Sequence, residues 1–293
     1  EAELSTRKAI KINPIFAEAY STLGSILRDL GKLKEAKSSN LKAIELKNDM
    51  PIAYRELSIC VYLLEDTELA LKYIEKANYL DPKDINNQLL FKTFLKRRNR
   101  NNRDIKIYND LSQTTEHRLD SNPLILDMPV EANLVNSLYK IKARDQEKYQ
   151  SPTYGDAKGS DYKLFEINNP IIKKIKEKLT SISQKSVKSE ILISESFFTI
   201  FRSGGGLKSH NHLSTLDKVK GLNIASQKYS LVYYLSVGEQ NSSEPGILKL
   251  ENPNQDILPH NGLIIIFPAD RNHSIFYKGK KDRIIIGVNF YRI

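Results

Sequence analysis

A single cysteine, Cys60, is all the thiol chemistry in the 293-residue chain. It cannot build an internal disulfide framework, which excludes the small secreted folds stapled by cystines and fits a reducing, cytoplasmic compartment. No apolar run approaches the roughly 20 residues that a membrane span requires, so no transmembrane helix is predicted. The opening Glu1-Ala2-Glu3 is not a signal peptide and contains no initiator Met, and the chain is expected to continue upstream. Acidic charge is in short supply too: 45 Lys and Arg stand against 35 Asp and Glu, a net charge of +10. The surplus is uneven, +3 over residues 1–120 and +7 over residues 121–293. An acidic partner or nucleic acid would suit it, but a lysine-rich solvated surface accounts for it without any partner.

With 40% hydrophobic and 27% charged residues the composition is that of a globular protein, and the length suffices for two domains. The N-terminal third repeats itself. Ala17-Glu18-Ala19-Tyr20-Ser21-Thr22-Leu23-Gly24 aligns with Pro51-Ile52-Ala53-Tyr54-Arg55-Glu56-Leu57-Ser58 at an offset of 34 residues. The same offset carries Ala36 onto Ala70, Ala43 onto Ala77 and Leu46 onto Leu80, and Asn13-Pro14 and Asp81-Pro82 close units two periods apart. This pattern resembles the tetratricopeptide repeat, with small residues where paired helices touch and a Pro ending each unit. It departs from that family in having Tyr for the usual Trp and Met50 where a closing Pro is expected. The reading is one second helix (1–12), two full repeats (17–50 and 51–84) and a further helix, Asn86–Arg98. Such repeats stack into a solenoid whose concave face commonly holds peptides, so a peptide or protein partner is expected, although no carboxylate-clamp pattern is identifiable and the repeats alternatively serve only to dock or dimerise.

The basic run Lys96–Arg103 has no interleaved aromatic and is read as a solvated helix end rather than a nucleic-acid contact, since cations favour helix C-termini. The polar stretch after it, containing His117, marks the boundary. The division is therefore 1–104 for an all-α repeat domain, 105–122 for a linker and 123–293 for a second domain. In the latter, Val130–Ala143 and Pro170–Ile182 have helical apolar spacing, and Pro152–Asp161 is a loop, either a lid or a surface connection. Strands follow at Glu190–Phe201, Tyr229–Val237, Ile247–Leu250, Leu263–Phe267, Ser274–Tyr277 and Ile284–Phe290. Short antiparallel strands behind two helices predict a double-stranded β-helix, or jelly roll, with flanking helices. The last two strands are read as a hairpin across Lys278-Gly279-Lys280 that pairs Tyr277 with Arg283 and sets His273, Tyr277 and Arg283 on one face.

Chemistry concentrates between Phe201 and Arg283. His210 and His212 alternate in an extended segment, so both can reach one metal ion, and His273 lies just after a strand and ten residues before Arg283. The order His-x-acid, distal His, then a basic residue ten further on is similar to the Fe(II)/2-oxoglutarate-dependent oxygenases, above all the prolyl-4-hydroxylase-like branch. That branch also has an aromatic nine and a Gly six residues before the first His, here Phe201 and Gly204. Gly246–Leu250, Pro259 with Gly262, Phe267-Pro268 and Asn289-Phe290 resemble its strand and turn marks. The likeness covers about 190–293 well and 121–189 loosely.

The resemblance implies a hydroxylase that uses Fe(II), 2-oxoglutarate and O₂, with His210, His212 and His273 as metal ligands. Imidazoles suit ferrous iron, and a three-ligand facial site leaves positions open. It implies further that Arg283 grips the distal carboxylate of 2-oxoglutarate as a two-pronged donor, that Phe201 lines the co-substrate pocket, and that a tyrosine helps. Tyr233 and Tyr234 fall on opposite faces of their strand, and Tyr233 is assigned the role. No catalytic group is expected beyond the metal site. His212 stands where the family's commonest ligand is Asp, and Asp217 is a possible substitute ligand. His260 is read as a surface residue. Two other readings compete: a repeat-based adaptor with a degenerate jelly roll, and a three-His cupin-type iron dioxygenase that needs no keto acid.

Overall fold

The computed structural model describes residues 1–104, 122–142, 144–145 and 153–293. The chain divides into two compact units, Glu1–Thr114 with Val219–Asn223, and Thr115–Lys218 with Ile224–Ile293. The expected linker 105–122 and His117 lie, but for Asn122, outside the described residues.

The first unit is helical: α1 (Ala2–Ile12), α2 (Ala17–Asp29), α3 (Leu33–Leu46), α4 (Pro51–Leu63), α5 (Thr67–Leu80) and α6 (Ile85–Asp104). Local chemistry sets the helix starts. Pro51 occupies the first turn of α4, where a missing N–H costs nothing, and the Asp66 carboxylate caps α5 by accepting from the Leu69 N–H at 2.9 Å. The alanines repeated at 34 have no solvent exposure, Ala36 with Ala70 and Ala43 with Ala77, whereas Leu46 and Leu80 are half-buried. Small side chains let α2 and α3 approach so closely that a Cβ at Gly24 would lie 2.3 Å from the Asn40 amide. Cys60 packs with Leu23, Leu27 and Ala36, and burial pushes its thiol pKa up to about 12, which makes it inert at neutral pH. Helix α6 continues to Asp104, beyond the expected Arg98. Arg97 in its basic stretch lies over the Tyr62 ring, 5.3 Å from the centroid.

The described residues of the second unit form α7 (Ala132–Lys140), α8 (Pro170–Val187) and twelve strands: β1 (Leu124–Asp127), β2 (Arg144–Asp145), β3 (Thr153–Tyr154), β4 (Ala157–Gly159), β5 (Ile191–Phe201), β6 (Gly206–His210), β7 (Lys228–Ser236), β8 (Leu248–Leu250), β9 (Gln255–Ile257), β10 (Leu263–Pro268), β11 (His273–Phe276) and β12 (Arg283–Arg292). They form a seven-stranded antiparallel sheet, β1-β10-β7-β12-β5-β4-β2, and a five-stranded one, β3-β6-β11-β8-β9. Strands β7 and β12 are buried on both faces, as is most of the second half of β5, whose first half is half-buried. Outward, Phe198, Leu231 and Val288 meet Ile172, Ile175 and Leu179 of α8. Inward, Val232 and Ile285 meet Leu248, Leu250 and Ile275 of the small sheet. Asn169 starts α8 by accepting the Ile171 and Ile172 N–H groups, and Pro170 follows in the first turn.

Two expectations are corrected. Residues Ser274–Tyr277 and Ile284–Phe290 do not form a hairpin: β11 pairs with β6 and β8, while β12 pairs with β5 and β7, so Arg283 is opposite Phe201 and not Tyr277. The Lys278–Asp282 connection crosses from one sheet to the other, and Tyr277 meets Arg283 across the interior, with the guanidinium carbon 5.7 Å from its ring centroid. The stretch from Thr153 to Asp161 is not a free loop either. It gives β3 to the small sheet and β4 to the large one.

Because Ile175 sits at the centre of the α8 contact, 4% exposed, Ile175→Ala is expected to cost about 2–5 kcal/mol, measured as a lower urea midpoint of the β-rich unit. An unchanged midpoint would mean that α8 is not part of the cooperative core.

Candidate metal centre

Strands β6 and β11 are neighbours, and their register sets His210 directly opposite His273. Side chains opposite each other in an antiparallel pair leave the sheet on the same side. His212 follows two residues beyond β6, where its backbone N–H donates to the Ala269 carbonyl at 2.9 Å. The three rings form a cluster with centroid separations of 4.3 Å (His210–His273), 4.9 Å (His212–His273) and 5.0 Å (His210–His212). One ring nitrogen from each lies within 4.8 Å of the others.

Two of these rings are oriented as ligands are. A carbonyl can only accept, so the 2.8 Å approach of His210 Nδ1 to the Lys208 carbonyl puts the proton on Nδ1 and leaves the Nε2 lone pair free. His273 Nδ1 makes the same, longer contact to the Arg271 carbonyl, 3.4 Å. Metal-bound histidines commonly anchor their second nitrogen this way. All three stay neutral because burial depresses their pKa. His273, 2% exposed, is held at about 3, and the nearby His273, His210 and Lys228 add to the effect of burial at His212. Neutral imidazole is the form that binds metal.

Asp217 is not a fourth member. Its buried carboxylate accepts from Lys228 Nζ at 2.9 Å and from the Ser214 backbone and hydroxyl, and its other oxygen takes the Tyr291 hydroxyl at 2.8 Å. That network consumes both oxygens and neutralises Lys228. His260 is exposed, 3.3 Å from an Asp127 oxygen, and outside the cluster.

A cavity of about 210 Å³ is lined by the three imidazoles together with Tyr234, Leu248 and Ile275. Arg283 lies behind Tyr234, its guanidinium carbon 5.1 Å from that ring centroid. The guanidinium is fully buried. Nη1 donates to the Pro245 carbonyl at 3.1 Å, while Nε and Nη2 find no acceptor among the described residues. The Tyr234 hydroxyl lies near enough to the guanidinium for the cation to favour its ionised form, while burial pushes its pKa up. Gly246 has φ +79°, and a Cβ there would come within 2.2 Å of Arg283 Nη1. Glycine is therefore needed for both the turn and the room beside the guanidinium. Phe201 shares this inner face as the cross-strand partner of Arg283.

Tyr233 must be set aside. It points to the outer face, into the core beneath the helices, and its hydroxyl donates to the Met128 and Pro129 carbonyls at 3.2 Å. The tyrosine on the cavity side is Tyr234. The position of Phe201 carried the necessary signal, because Tyr234 and Arg283 sit on the inner face with it once the register of β5, β12 and β7 is known.

Residues 17–50 match the family model of the tetratricopeptide repeat, so the helical unit contains that repeat. Protein O-mannosyl-transferase TMTC3 of Homo sapiens is 34% identical over 84 residues, 28% of this chain. The chain spans 9% of the length of that curated relative. Among solved structures, the first TPR of Spaghetti (RPAP3) bound to the HSP90 peptide SRMEEVD is 19% identical, covering 32% of this chain and 75% of its own at a TM-score of 0.31. The Arabidopsis OM64 TPR domain is 21% identical, with 33% and 79% covered and a TM-score of 0.32. An oxidoreductase of the 2OG-Fe(II) oxygenase family from Burkholderia pseudomallei is 13% identical, with 59% and 86% covered and a TM-score of 0.43.

The depressed histidine pKa values give a pH dependence. Between its folded value of about 3 and its ordinary unfolded value near 6.5, His273 binds a proton only in the unfolded chain, so stability falls as pH drops below 6.5. At pH 5 this amounts to about 2 kcal/mol. The urea midpoint of the metal-free protein is expected to decline between pH 7 and pH 5, and to decline less in His273→Gln. Equal slopes would show that His273 takes up its proton without unfolding.

Proposed function

We infer that the β-rich unit is a jelly-roll Fe(II)/2-oxoglutarate-dependent oxygenase of the hydroxylase type, acting on a peptide or protein that the repeats recruit. One observation carries the reading: a buried guanidinium that has no carboxylate partner among the described residues, set against the Tyr234 ring in the same interior as three clustered neutral imidazoles. A buried cation without a partner is costly, and buried polar atoms are rarely left unpaired. The unpaired donors are complementary to a carboxylate. A dicarboxylate with one end at the histidines and the other at Arg283 satisfies both demands.

The donor set fits a divalent first-row metal ion, for which His210, His212 and His273 would be the ligands. When bound, Fe(II) supplies open coordination positions and electrons for the reduction of O₂. The chain's own residues do the rest. Arg283 binds the distal carboxylate through Nε and Nη2, Tyr234 adds its hydroxyl donor, and Phe201 walls the same compartment. Leu248 and Ile275 exclude water, which strengthens each polar contact. Three neutral ligands leave the metal's charge uncompensated, which favours an anionic co-substrate. The repeat surface supports a macromolecular substrate, since stacked repeats present extended concave faces.

The test is an anaerobic titration of the full chain with Fe(II) and 2-oxoglutarate, watching for the weak visible band of a metal-chelated keto acid. Its appearance supports the assignment. Iron bound without the band favours a three-His dioxygenase independent of keto acid, and no iron bound favours a repeat-based adaptor. Arg283→Ala is expected to weaken 2-oxoglutarate by about 30- to 1000-fold, or about 2–4 kcal/mol, while sparing iron. Equal loss of both ligands would mark Arg283 as structural. His212→Ala is expected to lower iron affinity at least about tenfold. A value equal to the parent's would remove His212 from the ligand set.

A further inference from the structure

The inner face of the large sheet is polar at both ends, with opposite sign. Arg283 and Phe201 form one cross-strand pair; six residues back along β5, Glu195 pairs with Asn289, which pairs in turn with Ser230. Six residues of strand span about 20 Å. Glu195 lines the cavity, with Phe197 and Thr199 next on the same face. The Phe197 ring centroid is 6.4 Å from that of His212, so the histidine cluster faces the middle of this strip. The strip has a cation at one end and a carboxylate at the other.

The carboxylate is held in place deliberately. Asn289 Nδ2 donates to Glu195 Oε2 at 2.5 Å, and the Ser230 hydroxyl donates to Asn289 Oδ1 at 2.5 Å. A carboxylate only accepts, so the amide nitrogen must face Glu195 and the amide oxygen must face Ser230, which leaves a single orientation for the amide. Asn289 and Ser230 are each 1% exposed. Two buried polar side chains thus aim one acid whose other oxygen accepts no hydrogen bond from the described residues. No described Lys or Arg forms an ion pair with it, and Lys228 is paired with Asp217. Beside the acid stands an aromatic wall. Tyr162 meets Phe197 edge-on, with centroids 5.4 Å apart and planes at 76°. A Cβ at Gly287 would lie 2.3 Å from the Phe197 ring, so glycine there makes room for it.

An aimed carboxylate next to aromatic faces is the chemistry that recognises a guanidinium or an ammonium. We propose that Glu195, positioned by Asn289 and Ser230, is the specificity-determining residue of the cavity and selects a substrate bearing a cationic group, such as an arginyl or lysyl side chain. This deepens the oxygenase reading, on which it rests for the meaning of the histidine cluster. The distance from Glu195 to Phe197, two residues or about 7 Å, sets the cation several bonds from whatever carbon lies beside His212. The carboxylate also supplies a local exception to the chain's net charge of +10, which otherwise disfavours cationic ligands.

The experiment measures binding, not turnover, by ligand-observed NMR on the full chain with and without Fe(II) under anaerobic conditions. The probes are N-acetyl-arginine amide and N-acetyl-lysine amide, with the neutral citrulline and norleucine analogues as controls. Cationic probes are expected to bind at least about tenfold more tightly than their neutral counterparts. Glu195→Gln is expected to erase the difference without changing iron or 2-oxoglutarate titration, and Glu195→Asp, which keeps the charge, to restore part of it. Equal binding of cationic and neutral probes, or discrimination that survives in Glu195→Gln, overturns the proposal. Tighter binding of the blocked probes than of free arginine and lysine assigns the cation to a polypeptide; the reverse assigns it to a small molecule, and either upholds the cationic class. If discrimination holds while iron is not bound, the oxygenase reading fails and the cation site stands.

Discussion

Strands β5, β7 and β12 are covered on both faces over most of their length, so the period-two alternation of side chains divides their residues between two separate jobs. Phe198, Leu231, Tyr233 and Val288 go outward and hold the helices. Glu195, Phe197, Val232, Tyr234 and Ile285 go inward and line the cavity. A slip of one residue would exchange the two sets, placing Arg283 and Glu195 in the apolar layer under α8. The burial of large apolar side chains outward is therefore what holds the polar groups inward. The chemistry depends on the outer core.

The interior is electrostatically unfinished at Arg283. Among the described residues its cation has only the Pro245 carbonyl as a hydrogen-bond acceptor, whereas buried Lys228 has its own carboxylate in Asp217. On the proposed reading the difference has a reason: one buried cation has its ion pair within the chain, and the other is left for a ligand carboxylate to pair. The three histidines follow the same logic. Burial keeps them neutral, with lone pairs available and no protons to displace.

The helical unit is built by a different rule. Its alanines at Ala36, Ala43, Ala70 and Ala77 have no solvent exposure, and Gly24 lies against Asn40. Close approach of backbones, more than bulk of side chains, sets the spacing of the helices, which is why a repeat can be recognised by its small residues and tolerate Tyr where Trp is usual.

Helices, most strands and the repeat were legible from the chain alone, because periodicity, proline positions and turn residues are local properties. So was the grouping of His210, His212 and His273, which came from order and spacing. What the sequence could not decide was which strands pair. Reading Tyr277 and Arg283 as hairpin partners was the natural local choice, but β11 and β12 belong to different sheets, where their partners β6 and β5 come from distant parts of the chain. The short strands β1 and β9 carried too few residues to stand out. The choice between Tyr233 and Tyr234 failed for the same reason: adjacent residues on a strand are equivalent until the sheet has an inside. The aimed acid at Glu195 was invisible as well, because its partners Asn289 and Ser230 lie 94 and 35 residues further along the chain. Local sequence determined the elements and the kinds of chemistry they carry. Tertiary pairing decided which side chains share a face, and only residues on one face can form a site.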